Sequence, residues 1–147
     1  MPEEHYDSEF PNLRTAGWTR TSEPAKYNCI AFVVGDTSRF WWPNLNLSEP
    51  DVDYWPDGVP HLESLDAFVL VFATEGFNVC ETADLEEGFE KIALYALDRI
   101  VRHAAIQQPN GRWRSKLGPH EDIETTLEGL VGPSYGNVAA FLKRPIR

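Results

Sequence analysis

The segment RHAAIQQPNGRWRSKLG, residues 102–118, restricts the fold more than any other part of the chain. Two runs rich in strand-forming residues flank a Gln-Pro-Asn-Gly turn signal, and such a turn folds the second run back along the first as a β-hairpin. A hairpin commits the chain to antiparallel sheet, which needs a further strand or a helix on its apolar face to be stable. The preceding stretch, DLEEGFEKIALYALDRIV at 84–101, can supply either. Leu85, Phe89, Ile92 and Ala96 mark a helical face, whereas Ile92, Leu94 and Ala96 alternate with Ala93, Tyr95 and Leu97 as a buried strand would. Gly88 weakens a helix by about 1 kcal/mol relative to alanine, which favours a strand over 91–97.

Helices come from elsewhere. In PHLESLDAFVLVFATEG, Leu62, Leu65, Phe68, Val69 and Phe72 fall at three- and four-residue steps, with Pro60 suited to a first turn and Gly76 to a C-terminal cap. The spacing predicts a helix over 61–75. FNVCE then reads as a short strand or an extended connection, with Cys80 turned inward. Asp122 is a candidate N-cap ahead of Ile123, Leu127 and Leu130, which predicts a helix over 122–130, and the chain closes with a strand or short helix after Gly132-Pro133. From Asn28 to Val34 the run NCIAFVV stays open: its β-branched residues suit a strand, and Asn28 is a good helix N-cap. Arg39 to Pro60, with Trp41, Trp42 and Trp55 among prolines and turn residues, reads as an ordered loop, because so many aromatic rings must pack somewhere. Residues 1–24 read as an arm lying on the surface and pinned by Phe10, Leu13 and Trp18, ahead of a single domain over 25–147. The class is α+β.

The formal charge of -10 is unevenly spread. Residues 1–90 carry 4 basic and 18 acidic side chains (4 − 18 = −14), and 91–147 carry 9 and 5 (9 − 5 = +4). No basic stripe exists to neutralise a row of phosphates, which argues against nucleic acid as a partner. The acidic N-terminus lacks the apolar core of a secretory signal, and no window approaches a membrane span, so the expected location is cytoplasmic and no membrane partner is expected. Two cysteines, Cys29 and Cys80, are too few for a disulfide scaffold and lack metal-site spacing. No metal and no cofactor are implied.

Cys29 has two readings. As a small apolar residue before Ile30, Ala31 and Phe32 it belongs to a core; at a helix start beside an imidazole it is a nucleophile, because partial positive charge and a proton acceptor favour the thiolate. His103, between Arg102 and two small alanines, is the candidate imidazole, with a purely structural histidine as the alternative. Pairing Gln108 with Gly111 across the turn puts Lys116 opposite His103, and a slip of one residue puts Ser115 or Leu117 there. Trp41, Trp42 and Trp55 are candidates to line a ligand groove, to which Trp113 and Lys116 would add, or else to pack over a helix.

The order YNCIA, KIALYA, RHAAIQ and GRWRSKLG resembles the papain-like cysteine hydrolases, closest to their compact NlpC/P60-type amidase domains. More narrowly, YNCIAF, RHAAIQQPNGRWRSKLG and GPSYGNVAAFLKR resemble a bacterial domain family of unknown function over about residues 25–144. The papain-like resemblance implies a helix bearing Cys29 packed on a small antiparallel sheet, and a thiol attacking a peptide or amide carbonyl. Cys29 would be the nucleophile, His103 the general base and acid, and Asn28 with the Cys29 amide part of an oxyanion hole. The third position departs from that pattern. Ser115 orients an imidazole weakly and Lys116 cannot accept its N–H, leaving Gln107 as the substitute. The expectation is a thiol-dependent acyl hydrolase or transferase on a peptide or amide substrate; the alternative is a non-catalytic module that binds a protein partner through its acidic half and Trp-rich loop.

Overall fold

The computed structural model describes residues 10–17, 19–22, 27–36, 39–43, 54–116 and 122–146. Helices run over Leu13–Ala16 (α1), Cys29–Val34 (α2) and Leu65–Thr74 (α3), with a 3₁₀ turn at Glu128–Leu130. Strands are Thr19–Ser22 (β1), Asn78–Cys80 (β2), Phe89–Leu97 (β3), Ile100–Gln107 (β4), Trp113–Lys116 (β5), Asp122–Thr125 (β6) and Asn137–Pro145 (β7). All seven form one antiparallel sheet in the order β1-β6-β5-β4-β3-β7-β2. The protein is α+β, as its sequence predicts.

Each face of this sheet is covered. Ile92, Leu94, Val101, Ala104 and Leu142 pack beneath α2, α3, Trp41 and Trp55, while Ala93, Tyr95, Ala105, Trp113 and Ile123 pack against Phe10, Leu13, Leu130 and Tyr135. Neighbouring residues of a strand point to opposite faces, so the two cores share every central strand. That explains why 89–97 shows no clean alternation: a strand buried on both sides is apolar throughout. Two devices keep the register. The ladder pairs Tyr95 with His103 but Ala96 with Val101, so it skips Arg102 and returns Val101 to the helix side. The β3–β4 connection is two residues, Asp98 and Arg99, both at positive φ (52° and 70°), the backbone of a type I′ hairpin without the usual glycine.

The helices start where side chains close their free N–H groups. Asn28 is extended and its side chain accepts from the Ala31 amide at 3.1 Å, which settles NCIAFVV as a helix; Gly35, at φ 87°, ends it. α3 begins later than expected, because Ser64 and not Pro60 caps it, through the Ala67 amide at 3.3 Å.

Three expectations need correction. The helix expected over 122–130 is the strand β6 followed by a short 3₁₀ turn; β6 pairs on both sides, with β1 and β5, and ladder hydrogen bonds outweigh a helical spacing of three apolar residues. Of the arm expected over 1–24, Phe10 and Leu13 are buried as pinning residues would be, but Thr19–Ser22 is β1, an edge strand of the sheet; Trp18 lies outside the described residues. Cys80 is half-buried on the edge strand β2 instead of sitting in the core. Among the described residues, no helix is long and apolar enough to cross a membrane.

Candidate functional site

Cys29 opens α2, and α2 lies on β4 and β5, so the cysteine-bearing helix does pack on the sheet. Its thiol is buried. Loss of water pushes the thiol pKa up to about 11, against the opposite pull of the backbone amides of Ala104, Ile30 and Cys29 itself and of the Lys116 charge. A neutral thiol is a poor nucleophile.

Contact with Ala104 decides where His103 must be. Ala104 faces the helices, so the next residue along β4 faces away, and His103 stands across from Tyr95 in the second core. Its imidazole stacks on the Tyr135 ring at 3.7 Å between centroids and 4° between planes, with Tyr95 at 5.8 Å. Neither ring nitrogen has a hydrogen-bond partner among the described residues. Burial lowers its pKa to about 3, so the ring is neutral at pH 7. The structure does not bring Cys29 and His103 together: they occupy opposite faces of the sheet.

The other expected site residues divide in the same way. The hairpin pairs Gln107 with Trp113, one residue away from the Gln108–Gly111 register, and this slip reverses the faces of β5. Ser115 consequently joins His103's side, buried and with no partner for its hydroxyl among the described residues, while Lys116 joins Cys29's side. Gln107 shares His103's face but lies four residues along the strand, about 13 Å at 3.3 Å per residue, and its Nε2 donates to the Ala83 carbonyl at 2.7 Å. It cannot orient the imidazole. Asn28 is occupied too: Oδ1 accepts from the Ala31 and Trp41 amides, each at 3.1 Å, and Nδ2 donates to the Trp41 carbonyl at 2.7 Å. This side chain clamps the Trp-rich loop to the helix start and is not available to an oxyanion.

Among the described residues, the side chains expected to line a groove do not share one surface, and residues 44–53 of the Trp-rich loop lie outside those residues. Trp42 and Trp55 pack edge-on against Phe68 of α3 at 5.2 and 5.1 Å, Trp41 lies buried beside them, and Trp113 lies on the other face of the sheet. Each of the three loop indoles donates internally: Trp41 to Asp36 at 2.8 Å, Trp42 to Glu63 at 2.8 Å and Trp55 to the Pro60 carbonyl at 3.1 Å. An indole whose N–H has an internal acceptor is a packing residue.

Sequence reading missed two features. On the Cys29 face, Tyr27 Oη donates to Asp122 Oδ2 at 2.7 Å, and the buried Lys116 ammonium lies 5.3 Å from the Tyr27 ring centroid. Only the β5–β6 register, with Lys116 across from Asp122, reveals that group. The second feature is a cleft of about 600 Å³ at one end of the sheet, walled by Leu85, Phe89, Ile106, Pro109 and Ile146. Its signal was DLEEG: apolar Leu85 set among carboxylates with no helix to bury it. Among the described residues, no group of three His, Cys, Asp or Glu side chains is placed to hold a metal ion.

Fold and site define a small α+β domain built on a seven-stranded antiparallel sheet, whose candidate nucleophile and base are separated by that sheet. A family model described as "Domain of unknown function (DUF7689)" matches residues 18–143, and the chain belongs to this family. No curated protein and no solved structure matches it. The narrower resemblance, to an uncharacterised domain family, therefore has independent support, and the papain-like one rests on residue order alone.

Proposed function

We propose that this domain is a non-catalytic binding module for a protein partner, retaining a cysteine-started helix on an antiparallel sheet as a structural element. The observation that carries this reading is the placement of Cys29 and His103 on opposite faces of the sheet. A thiol–imidazole pair works by proton transfer across a hydrogen bond, and groups separated by a β-sheet share none. Their environments point the same way. Burial raises the Cys29 pKa and lowers that of His103, whereas an activated pair requires a thiolate beside an imidazolium. On the surface, Leu85 and Ile146 expose large apolar side chains at the mouth of the cleft, a pattern that suits a partner surface.

The test is alkylation of Cys29 by iodoacetamide, followed by peptide mass spectrometry from pH 6 to 9 in the native and unfolded protein. Labelling confined to the unfolded protein is the expected result. Rapid native labelling near pH 6 that His103→Ala abolishes would restore the thiol hydrolase and remove the present reading.

A further inference from the structure

We infer that the first half of β7, residues 137–140, is a partner-binding edge, and that it takes an extended segment of a protein partner as an added strand, with one large apolar side chain seated in the neighbouring cleft. This inference rests on the binding-module reading and adds to it a location and a partner conformation. β7 lies between β3 and β2. β3 pairs along its whole length, from Asn137 to Pro145, whereas β2 pairs only with Phe141, Leu142 and Lys143. After Cys80 the chain turns onto the His103 face, where the Thr82 carbonyl accepts from Lys91 Nζ at 3.0 Å and the Ala83 carbonyl from Gln107 Nε2 at 2.7 Å. Among the described residues, 137–140 therefore have a strand on one side only. The ladder with β3 also skips Ala139, passing from Leu94–Ala140 to Tyr95–Val138, and the extra residue of such a bulge is left unpaired. Ala139 is exposed.

Backbone chemistry selects the occupant. N–H and C=O groups along a sheet edge are satisfied together by a second extended backbone. Proteins blunt such edges with charge, proline or cover. β1, at the opposite edge of the sheet, carries Arg20, and Phe141 to Lys143 are covered by β2. The sequence of 137–140, Asn-Val-Ala-Ala, holds no charge and no proline, and its small side chains let another backbone come close. A strand added in line with β2 would run antiparallel to β7 and extend the ladder already formed there. Beside the same residues opens a cleft of about 450 Å³, walled by Leu65, Ala96 and Val138, with Ser64 and Asp66 at the start of α3. Side chains of an added strand alternate between faces, so one on the helix side enters this cleft. A second copy of the chain fits less well, because its own 137–140 offers nothing larger than valine to that volume.

The experiment is an amide chemical-shift titration of the full chain with a capped heptapeptide of alternating threonine and valine, with phenylalanine at its centre. Two control peptides are N-methylated at every second residue, one in each phase, and a third replaces the phenylalanine by alanine. The expected result is saturable shifts at 64–66, 96–99 and 137–140 with slowed hydrogen exchange at the Ala139 amide. Methylation in one phase should abolish binding and in the other leave it, since alternate residues of a strand face its neighbour, and the alanine peptide should bind about tenfold more weakly. Ala139→Pro removes an N–H at an exposed position and should weaken binding about fivefold; if that variant does not fold, Ala139→Lys, which sets a charge on the edge, tests the same position. No saturable shift, equal binding by the two methylated peptides, or shifts at β1 or the outer edge of β2 would overturn the assignment. Self-association through 137–140 without peptide binding would overturn it in favour of a second copy. Saturable binding at another surface, the Leu85–Ile146 cleft included, would overturn it too, yet leave the binding-module reading standing. That reading falls only on the Cys29 labelling result.

Discussion

The two faces of the central sheet differ in how they hold the residues around Cys29 and around His103. Beneath the helices, Asn28, Tyr27 and Asp122 and the indoles of Trp41, Trp42 and Trp55 are hydrogen-bonded to internal partners. On the other face, the His103 nitrogens and the Ser115 hydroxyl are buried with no partner among the described residues, and His103 is held by ring stacking alone. Directional bonds also occur on that face, where Tyr95 Oη donates to the Leu127 carbonyl at 2.9 Å and Gln107 Nε2 to the Ala83 carbonyl at 2.7 Å; the difference is at His103, which shape and stacking hold. The lesson concerns function as much as stability. A buried histidine kept neutral by its surroundings is a packing residue, and a cysteine on the far side of the same strand cannot borrow its base.

The sharpest way to break the second face is at Gly136. It closes the Gly132–Gly136 loop that delivers Tyr135 onto His103; its φ is 77°, and a Cβ there would lie 2.0 Å from the Ala96 carbonyl oxygen. Gly136→Ala should cost about 4 kcal/mol or more, because backbone must move. Urea denaturation would measure it, and a loss near 1 kcal/mol would mean that the loop yields easily and the stack on His103 is not enforced.

Acid probes the same face without mutation. The folded pKa of His103, about 3, lies below the ordinary value of 6.5, so the unfolded chain binds the extra proton first. Its contribution is fully present above pH 6.5 and is lost as pH falls from there toward 3. The loss should reach about 5 kcal/mol at the acid end. His103→Phe, which keeps a ring on Tyr135 and removes the titrating group, should flatten this limb in urea midpoints between pH 7 and 4. An unchanged limb would place the acid sensitivity elsewhere.

Asn28→Ala tests the hydrogen bonds on the Cys29 side. It removes the α2 cap and both bonds to Trp41, and should cost about 2–3 kcal/mol with little pH dependence. Trp fluorescence should shift with it, since the loop loses its clamp; a loss below 0.5 kcal/mol, on the scale of an exposed substitution, would show that the clamp is redundant. The smallest effect is a gain. Replacing Asp98-Arg99 by Asn-Gly should stabilise the protein by about 1 kcal/mol, because both positions hold positive φ that Asn and Gly adopt at less cost. Destabilisation would mean that the Asp98 or Arg99 side chain contributes a contact worth more than the strain.

Much of the architecture was legible. The QPNG turn, the Asn28 cap and the spacing from Leu65 to Phe72 each act within a few residues, and each element formed near its expected place. The β3–β4 hairpin hid because Asp-Arg is not usual type I′ chemistry. β6 hid because its strand character comes from two neighbours distant in sequence. For the candidate site, identifying Cys29 and His103 as buried core-strand and helix residues was within reach of local pattern, but their mutual placement was not.

The sequence by itself determined the class of fold, the hairpin at 102–116, the cysteine at a helix start and the acidic character of the first 90 residues. These follow from short-range chemistry: caps, turns, periodicity and charge. Only the tertiary structure decided the faces. A slip of one residue at the β4–β5 turn exchanges Ser115 for Lys116 at Cys29's side, and the contact of Cys29 with Ala104 sends His103 to the other core. Side chains alternate with a period of two, so whether a cysteine and a histidine meet depends on register and on helix placement, which no local segment of the chain encodes.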